Sequence, residues 1–341
     1  MCIFVHNREL AVYLTKRNKR KKIIKTGIYW KLLLAMDDRT FQQHMRVTRR
    51  QCNFIQCAIE RQLQEQTGPA GRWGGRPQIS VTCKTLLLLW YLANDNSYRE
   101  MCDKFGMSKS SAHRVINSML DEILKLGPQF IKWWTDVEKE CSANNFKSVS
   151  GYSDVIGAID GCHIRINRPP THGDDYINRK GYFSVLLQGV CDEDGLFRSI
   201  FAGPPGRVHD ARMCRLSPVF AQRHERFGDR WKLFGDTAYI SADFHGFIIT
   251  PKRDTGCLSV IEKAANSAVS RGRVVIENAF GRLKCRFRRL RHVDNVNLPA
   301  IIKVIVACCI LHNIAAGMDT DCPEHPDGCP RYNDTNNDLA G

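Results

Sequence analysis

Acidic residues are in short supply. Asp and Glu number 35 against 50 Lys and Arg, a formal net charge of +15. A shortage of that size points to a polyanionic partner, either nucleic acid or an anionic membrane surface. The membrane option loses ground because no apolar run approaches the roughly 20 residues of a spanning helix. No secretory leader is expected either, since Arg8, Lys16 and Arg17 interrupt the early apolar residues. An evenly spaced cysteine framework is also missing. The 15 cysteines are scattered through apolar stretches such as Cys308-Cys309, which predicts free thiols in a reducing compartment. What the chain does have is apolar material: 43% of its 341 residues are hydrophobic. That is enough for one mid-sized core plus a smaller helical module.

The organisation divides into four stretches. Residues 1–67 read as helical and basic, with a cluster at Lys16, Arg17, Lys19, Arg20, Lys21 and Lys22 that suits nuclear import or phosphate contact. Residues 68–150 open on the turn-rich run from Gly68 to Pro77 and continue as helices. Within them Ser97 can cap a helix whose apolar stripe is Met101, Cys102 and Phe105. Gly106 ends that helix, and Ser108 caps the next. A short helix, a glycine turn and a second helix with a polar start make a helix-turn-helix layout. Lys109, Ser110, Ser111, His113 and Arg114 would then face a DNA groove, whereas an ordinary helical hairpin would turn this helix inward. The Trp133-Trp134 segment leads into polar residues and a boundary near Ser150. Residues 151–316 switch to strands and end in long helices. The tail, residues 317–341, is polar and rich in Asp, Asn, Pro and Gly, which predicts disorder.

Strands are expected from Val155 to Ile166, Tyr182 to Cys191 and Phe197 to Ala202, with Asp192 to Gly195 as a hairpin turn. A helix from Asp210 to Gln222 should follow, then strands at Trp231–Gly235 and Phe247–Thr250, then helices from Ser267 to Ala316. That order suits an α/β, ribonuclease-H-like mixed sheet flanked by helices, preceded by the all-α helix-turn-helix module.

Three acids stand out against this background. Asp160 lies inside the apolar strand Val155 to Gly161, where a carboxylate is costly unless paired or bound to metal. Asp236 ends the fourth strand. In such a sheet the first and fourth strands are parallel neighbours, so the two carboxylates meet at one edge and repel unless a cation separates them. Glu277 lies beside the helical stripe Ile276, Phe280, Leu283 and Phe287, with Arg282, Lys284, Arg286, Arg288 and Arg289 clothing the rest of that helix as a DNA-facing surface. Oxygen donors without cysteine partners suit Mg²⁺ or Mn²⁺ rather than zinc. Asp210 opens a helix and serves equally well as an N-cap or as a further ligand, with His209 and Arg212 near it as phosphate contacts. Zinc remains open at Cys322, His325 and Cys329, or at Cys308, Cys309 and His312.

At these residues the sequence resembles the PIF/Harbinger transposases and the HARBI-type nucleases derived from them. The matching stretches are Ala158 to Ile164, Asn178 to Gly181, Val185 to Asp192, Phe201 to Arg212, Phe234 to Tyr239, Thr250-Pro251, Val274 to Arg288 and Cys308 to Asn313. The resemblance covers roughly Gly75 to Ile314. It implies a DDE superfamily endonuclease with metal positions at Asp160, Asp210, Asp236 and Glu277. Cys162 departs from it, standing where a small hydroxyl residue is common. The resemblance further implies two-metal phosphodiester hydrolysis, with Asp160 bridging the ions and catalysis resting on Asp160, Asp236 and Glu277. It also implies a separate Myb-like protein for DNA targeting and nuclear import, with a nuclear location and the cytoplasm as a second one. Two alternatives stand beside hydrolysis: strand transfer by an active transposase, and DNA binding by a catalytically silent derivative.

Overall fold

In the computed structural model, residues 29–66, 79–254 and 256–319 are described. The basic cluster at Lys16 to Lys22, the Gly68 to Pro77 linker and the Cys322, His325 and Cys329 trio lie outside them.

Helices come first. They are α1 (Tyr29–Ala35), α2 (Asp38–Met45), α3 (Arg49–Gln66), α4 (Val81–Ala93), α5 (Tyr98–Phe105), α6 (Lys109–Lys125), α7 (Gly127–Phe130) and α8 (Asp136–Ser150). Local chemistry sets several of their ends. Ser80, Ser97 and Ser108 each accept a backbone N–H from the first turn of α4, α5 and α6. Gly106 ends α5 at φ 68°, a left-handed conformation that costs glycine little. Every residue from Leu86 to Ala93 is buried, so α4 is the central post of this layer. Helix α8 occupies the stretch expected to be a polar boundary. Thr135 and Glu138 start it with a reciprocal capping box, and Ala143 and Phe146 turn inward toward the sheet. The Ser142 hydroxyl donates to the Ile156 carbonyl at 2.9 Å.

Five strands form one sheet: β1 (Val155–Arg165), β2 (Ser184–Cys191), β3 (Phe197–Pro205), β4 (Lys232–Phe234) and β5 (Ile248–Ile249), in the order β3-β2-β1-β4-β5. β1 runs antiparallel to β2 with Asp160 opposite Gly189, and parallel to β4 with Ala158 opposite Phe234. The expected adjacency of first and fourth strands is therefore present. The β2–β3 turn closes on Asp192, whose carboxylate accepts N–H groups from Asp194 and Leu196, with Gly195 at φ 77°. The expected helix from Asp210 to Gln222 is instead broken into α9 (Asp210–Arg215), α10 (Pro218–Ala221) and α11 (Arg223–Phe227). Ser217 precedes Pro218 and is held extended, which ends α9.

Two long helices close the fold: α12 (Val260–Arg286) and α13 (Leu298–Asp319). The stripe Ile276, Phe280, Leu283 and Phe287 is buried as its spacing predicts. Gly272 lets α12 approach β4 closely, because a methyl there would overlap the Phe234 ring. α13 corrects the reading of the apolar runs. It is long and apolar enough to cross a membrane by length and composition, yet 67% of its most apolar window is buried inside the protein. Its one lysine, Lys303, pairs with Asp121 of α6. Asn313 pins its far end to the sheet by accepting the Phe197 N–H and donating to the Phe197 and Phe130 carbonyls. The larger of two apolar clusters runs continuously from Leu33 through α4 and α6 to β1, α12 and α13, and the smaller gathers Ile156, Ile159, Leu233, Phe244 and Phe247. None of the described cysteines is in a disulfide, and most lie in such apolar surroundings.

Candidate active site

Asp160 sits near the middle of β1 with 18% of its side chain exposed. Its carboxylate accepts the adjacent Gly161 N–H at 2.8 Å. Burial pushes its pKa up to about 7, with further upward push from Asp236 and Asp210 and an opposing pull from Arg273. A carboxylate crowded by like charges in a half-buried place marks a candidate functional site. Asp236 follows β4 and caps the turn Thr237–Tyr239 by accepting the Ala238 N–H at 2.8 Å. Asp210 is the first residue of α9, so the cap position belongs to His209 and the N-cap reading of Asp210 is corrected. Its carboxylate lies against Gly161, where a methyl group would overlap it. Burial and Asp236 raise its pKa, while Arg179 and His209 work against the rise. Three aspartates on three elements thus lie close enough to raise one another's charge cost, beside the end of β4.

Glu277 stands on α12 with 56% of its side chain exposed. It is joined to the aspartates through an arginine rather than directly. The Arg273 guanidinium, one helical turn before Glu277, sends the same nitrogen to Asp160 and to Glu277, 3.5 Å from each. Its Nε is buried without a partner.

The donor set suits a hard divalent cation, since the four acids bring oxygen donors alone, and the neighbouring imidazole, His209, is engaged by Arg179. Mutual repulsion among Asp160, Asp210 and Asp236 is what a cation would relieve. Among the described residues, however, no three such side chains are drawn into a closed metal cage. Cys308, Cys309 and His312 are buried along α13, and the His312 Nε2 faces the Gly195 carbonyl at 3.2 Å. The clustering behind the zinc alternative is that of a core helix face.

The expected nucleic-acid contacts divide. On α6, Lys109, Ser110, His113 and Arg114 are exposed and Ser111 is half-buried. The Ser108 hydroxyl contacts those of Ser110 and Ser111 at the cap. The basic face of α12 is not the open surface that was expected. Lys284 is buried and donates to the His163 carbonyl. Arg286 reaches the His312 carbonyl and pairs with Asp319. Arg288 is half-buried, beyond the end of α12, and Arg289 is buried against the Tyr91 and Asn96 carbonyls. Arg282 is exposed, though its guanidinium donates to the Asp194 carbonyl. These cations tie helices to neighbouring backbone because aliphatic stems bury well when their charged ends find carbonyls.

Two contributors escaped the sequence reading. Arg273 had a usable signal, its spacing of four from Glu277. Arg179 had only its place in the matching stretch Asn178 to Gly181, which assigns it no role: the loop Asn178–Tyr182 folds over the Asn178 side chain and brings Arg179 to His209 Nδ1 at 2.6 Å.

The family comparison falls on these same elements. Residues 159–313 match the DDE superfamily endonuclease family. Putative nuclease HARBI1 of Rattus norvegicus is 29% identical over 252 residues, covering 71% of this chain and 69% of its own. The Homo sapiens protein of the same name is 28% identical over 252 residues, with the same shares covered. Protein ALP1-like of Arabidopsis thaliana is 25% identical over 302 residues, covering 84% of this chain and 72% of its own. No solved structure matches the chain. Asp160, the segment that opens with Asp210, the turn at Asp236 and the helix that carries Glu277 all lie inside the matched region, and over it the chain is similar to the DDE superfamily endonucleases and to the proteins called putative nuclease HARBI1.

Proposed function

We propose that this protein is a metal-dependent DNA endonuclease of Harbinger transposase origin, with its reaction centred on Asp160, Asp210, Asp236 and Glu277. The observation that carries the reading is the crowding of Asp160 by Asp236 and Asp210, with the Asp210 carboxylate lying against Gly161 next to Asp160. The sheet order also supports it, because a ribonuclease-H-like core sets its first and fourth strands side by side. Two divalent cations, Mg²⁺ or Mn²⁺, would supply an activated water and stabilise the leaving 3′ oxygen. Asp160, Asp236 and Glu277 would hold them, and Asp210 would serve as a further ligand or orient one. Lys109, His113 and Arg114 are proposed as DNA contacts on α6, with His209 and Arg212 beside the site for phosphate. A Myb-like partner and a nuclear location, with the cytoplasm as a second, complete the proposal.

The test is nicking of supercoiled DNA with Mg²⁺ or Mn²⁺, with and without such a partner. Wild type should nick, and Asp160→Asn should lose at least about a hundredfold in rate. Equal rates would sink the assignment. A second reading, a silent DNA-binding derivative, draws on Glu277 contacting Arg273 and being 56% exposed. DNA binding with no cutting under any of these conditions would favour it.

A further inference from the structure

An arginine standing between two proposed metal ligands asks for an account. Arg273 points from α12 toward β1, with 17% of its side chain exposed, and one nitrogen serves both Asp160 and Glu277. At 3.5 Å both contacts are long, closer to shared charge than to directed hydrogen bonds. A guanidinium forms short bidentate pairs with a carboxylate when geometry allows. Here it forms neither, and its Nε is buried and unpartnered. An arginine so placed is poorly satisfied as a structural pin. Arg289 makes the contrast, being buried with carbonyls of two residues accepting from it.

We infer that Arg273 is an internal counter-ion of the acidic site, a positioning residue that holds Asp160 and Glu277 in reach of each other and competes with divalent cations for them. The inference rests on the metal reading of the site. Its physical content is simple. A positive charge between two carboxylates neutralises them without a metal and steers Glu277 toward β1. A divalent cation that engages both acids must displace the guanidinium or work against its charge. Metal affinity is thereby lowered while ligand geometry is kept. Removing the charge should raise affinity and harm geometry together, whereas loss of a plain structural contact would weaken both.

The experiment uses the full chain and Mn²⁺ alone, titrated calorimetrically without DNA into wild type, Arg273→Gln and Arg273→Lys. Arg273→Gln should bind Mn²⁺ on the order of tenfold more tightly. Its nicking rate at saturating Mn²⁺ should fall by about tenfold or more. Arg273→Lys keeps the charge and should bind Mn²⁺ close to wild type. A folded Arg273→Gln that binds Mn²⁺ equally or more weakly overturns the inference while leaving the metal reading intact. Wild type that binds no Mn²⁺ overturns both. Should the glutamine variant not fold, ¹⁵N-arginine-labelled wild type decides the matter. The Arg273 Nε resonance, assigned by its loss in Arg273→Lys, should shift on adding Mg²⁺, and a resonance that stays still overturns the inference.

Discussion

A single missing Cβ shapes the acidic edge. Gly161 follows Asp160, and Asp210 lies against its Cα. Gly161→Ala should keep the fold, since a carboxylate at the end of a side chain can swing away. It should displace Asp210 and cut nicking by roughly tenfold or more, as misplacement of a reacting group by about an ångström does. Nicking rates beside a denaturation curve check this, and unchanged nicking would remove Asp210 from the site. Residue types carry much of this in advance: Asp160, inside the strand Val155 to Gly161, is conspicuous because its neighbours are apolar. Arg273 was less conspicuous, being one of many arginines. Its distinction is direction, which depends on the rotation of α12 against the sheet. For the same reason Lys284 and Arg286 read as surface cations although tertiary contacts turn them inward.

At the scale of elements, Gly272 governs how closely α12 approaches β4. A methyl there would overlap the Phe234 ring, which is buried and backed by Phe146 and Tyr152. Gly272→Ala gains helix propensity of about 1 kcal/mol. The steric conflict should outweigh it, for a net destabilisation of about 1–2 kcal/mol. Urea denaturation measures the sign; a more stable variant would show that α12 shifts freely. Strand order and most strand limits were legible because β-branched and aromatic runs are separated by turn residues. Helix α8 was not. Its sequence, from Asp136 to Ser150, is polar with few apolar anchors, and its start depends on a capping box whose meaning rests on only two side chains, Thr135 and Glu138.

At the scale of the whole molecule, the core joins the helical layer to the sheet without a break. A fragment limited to residues 151–316 should therefore fail to unfold cooperatively, as calorimetry would show. A sharp transition would mean that the sheet stands alone. Acid sensitivity follows from the same core. His312 is fully buried, and burial together with Arg286 and Arg282 pushes its pKa down to about 3. Above about 6.5, its ordinary value, both folded and unfolded states hold it neutral, and nothing is lost. As pH falls below that, the unfolded chain takes a proton that the folded one resists, so stability declines toward pH 3. Each unit of such depression corresponds to about 1.4 kcal/mol. His312→Gln should flatten this part of the pH profile of unfolding, and an unchanged slope would assign the acid loss to other groups.

Helix α13 has one more consequence, and it concerns time. Chains are made from the N-terminus, and early segments begin to fold as they emerge. Yet α6 and β3 both pack against α13, and Asn313 supplies the partner for the Phe197 N–H. Until that late helix arrives, the faces meant for it stay open to water and to other chains. A ribosome pausing shortly before Leu298 would thus hold out an almost finished but unsealed protein, a form that chaperones would recognise.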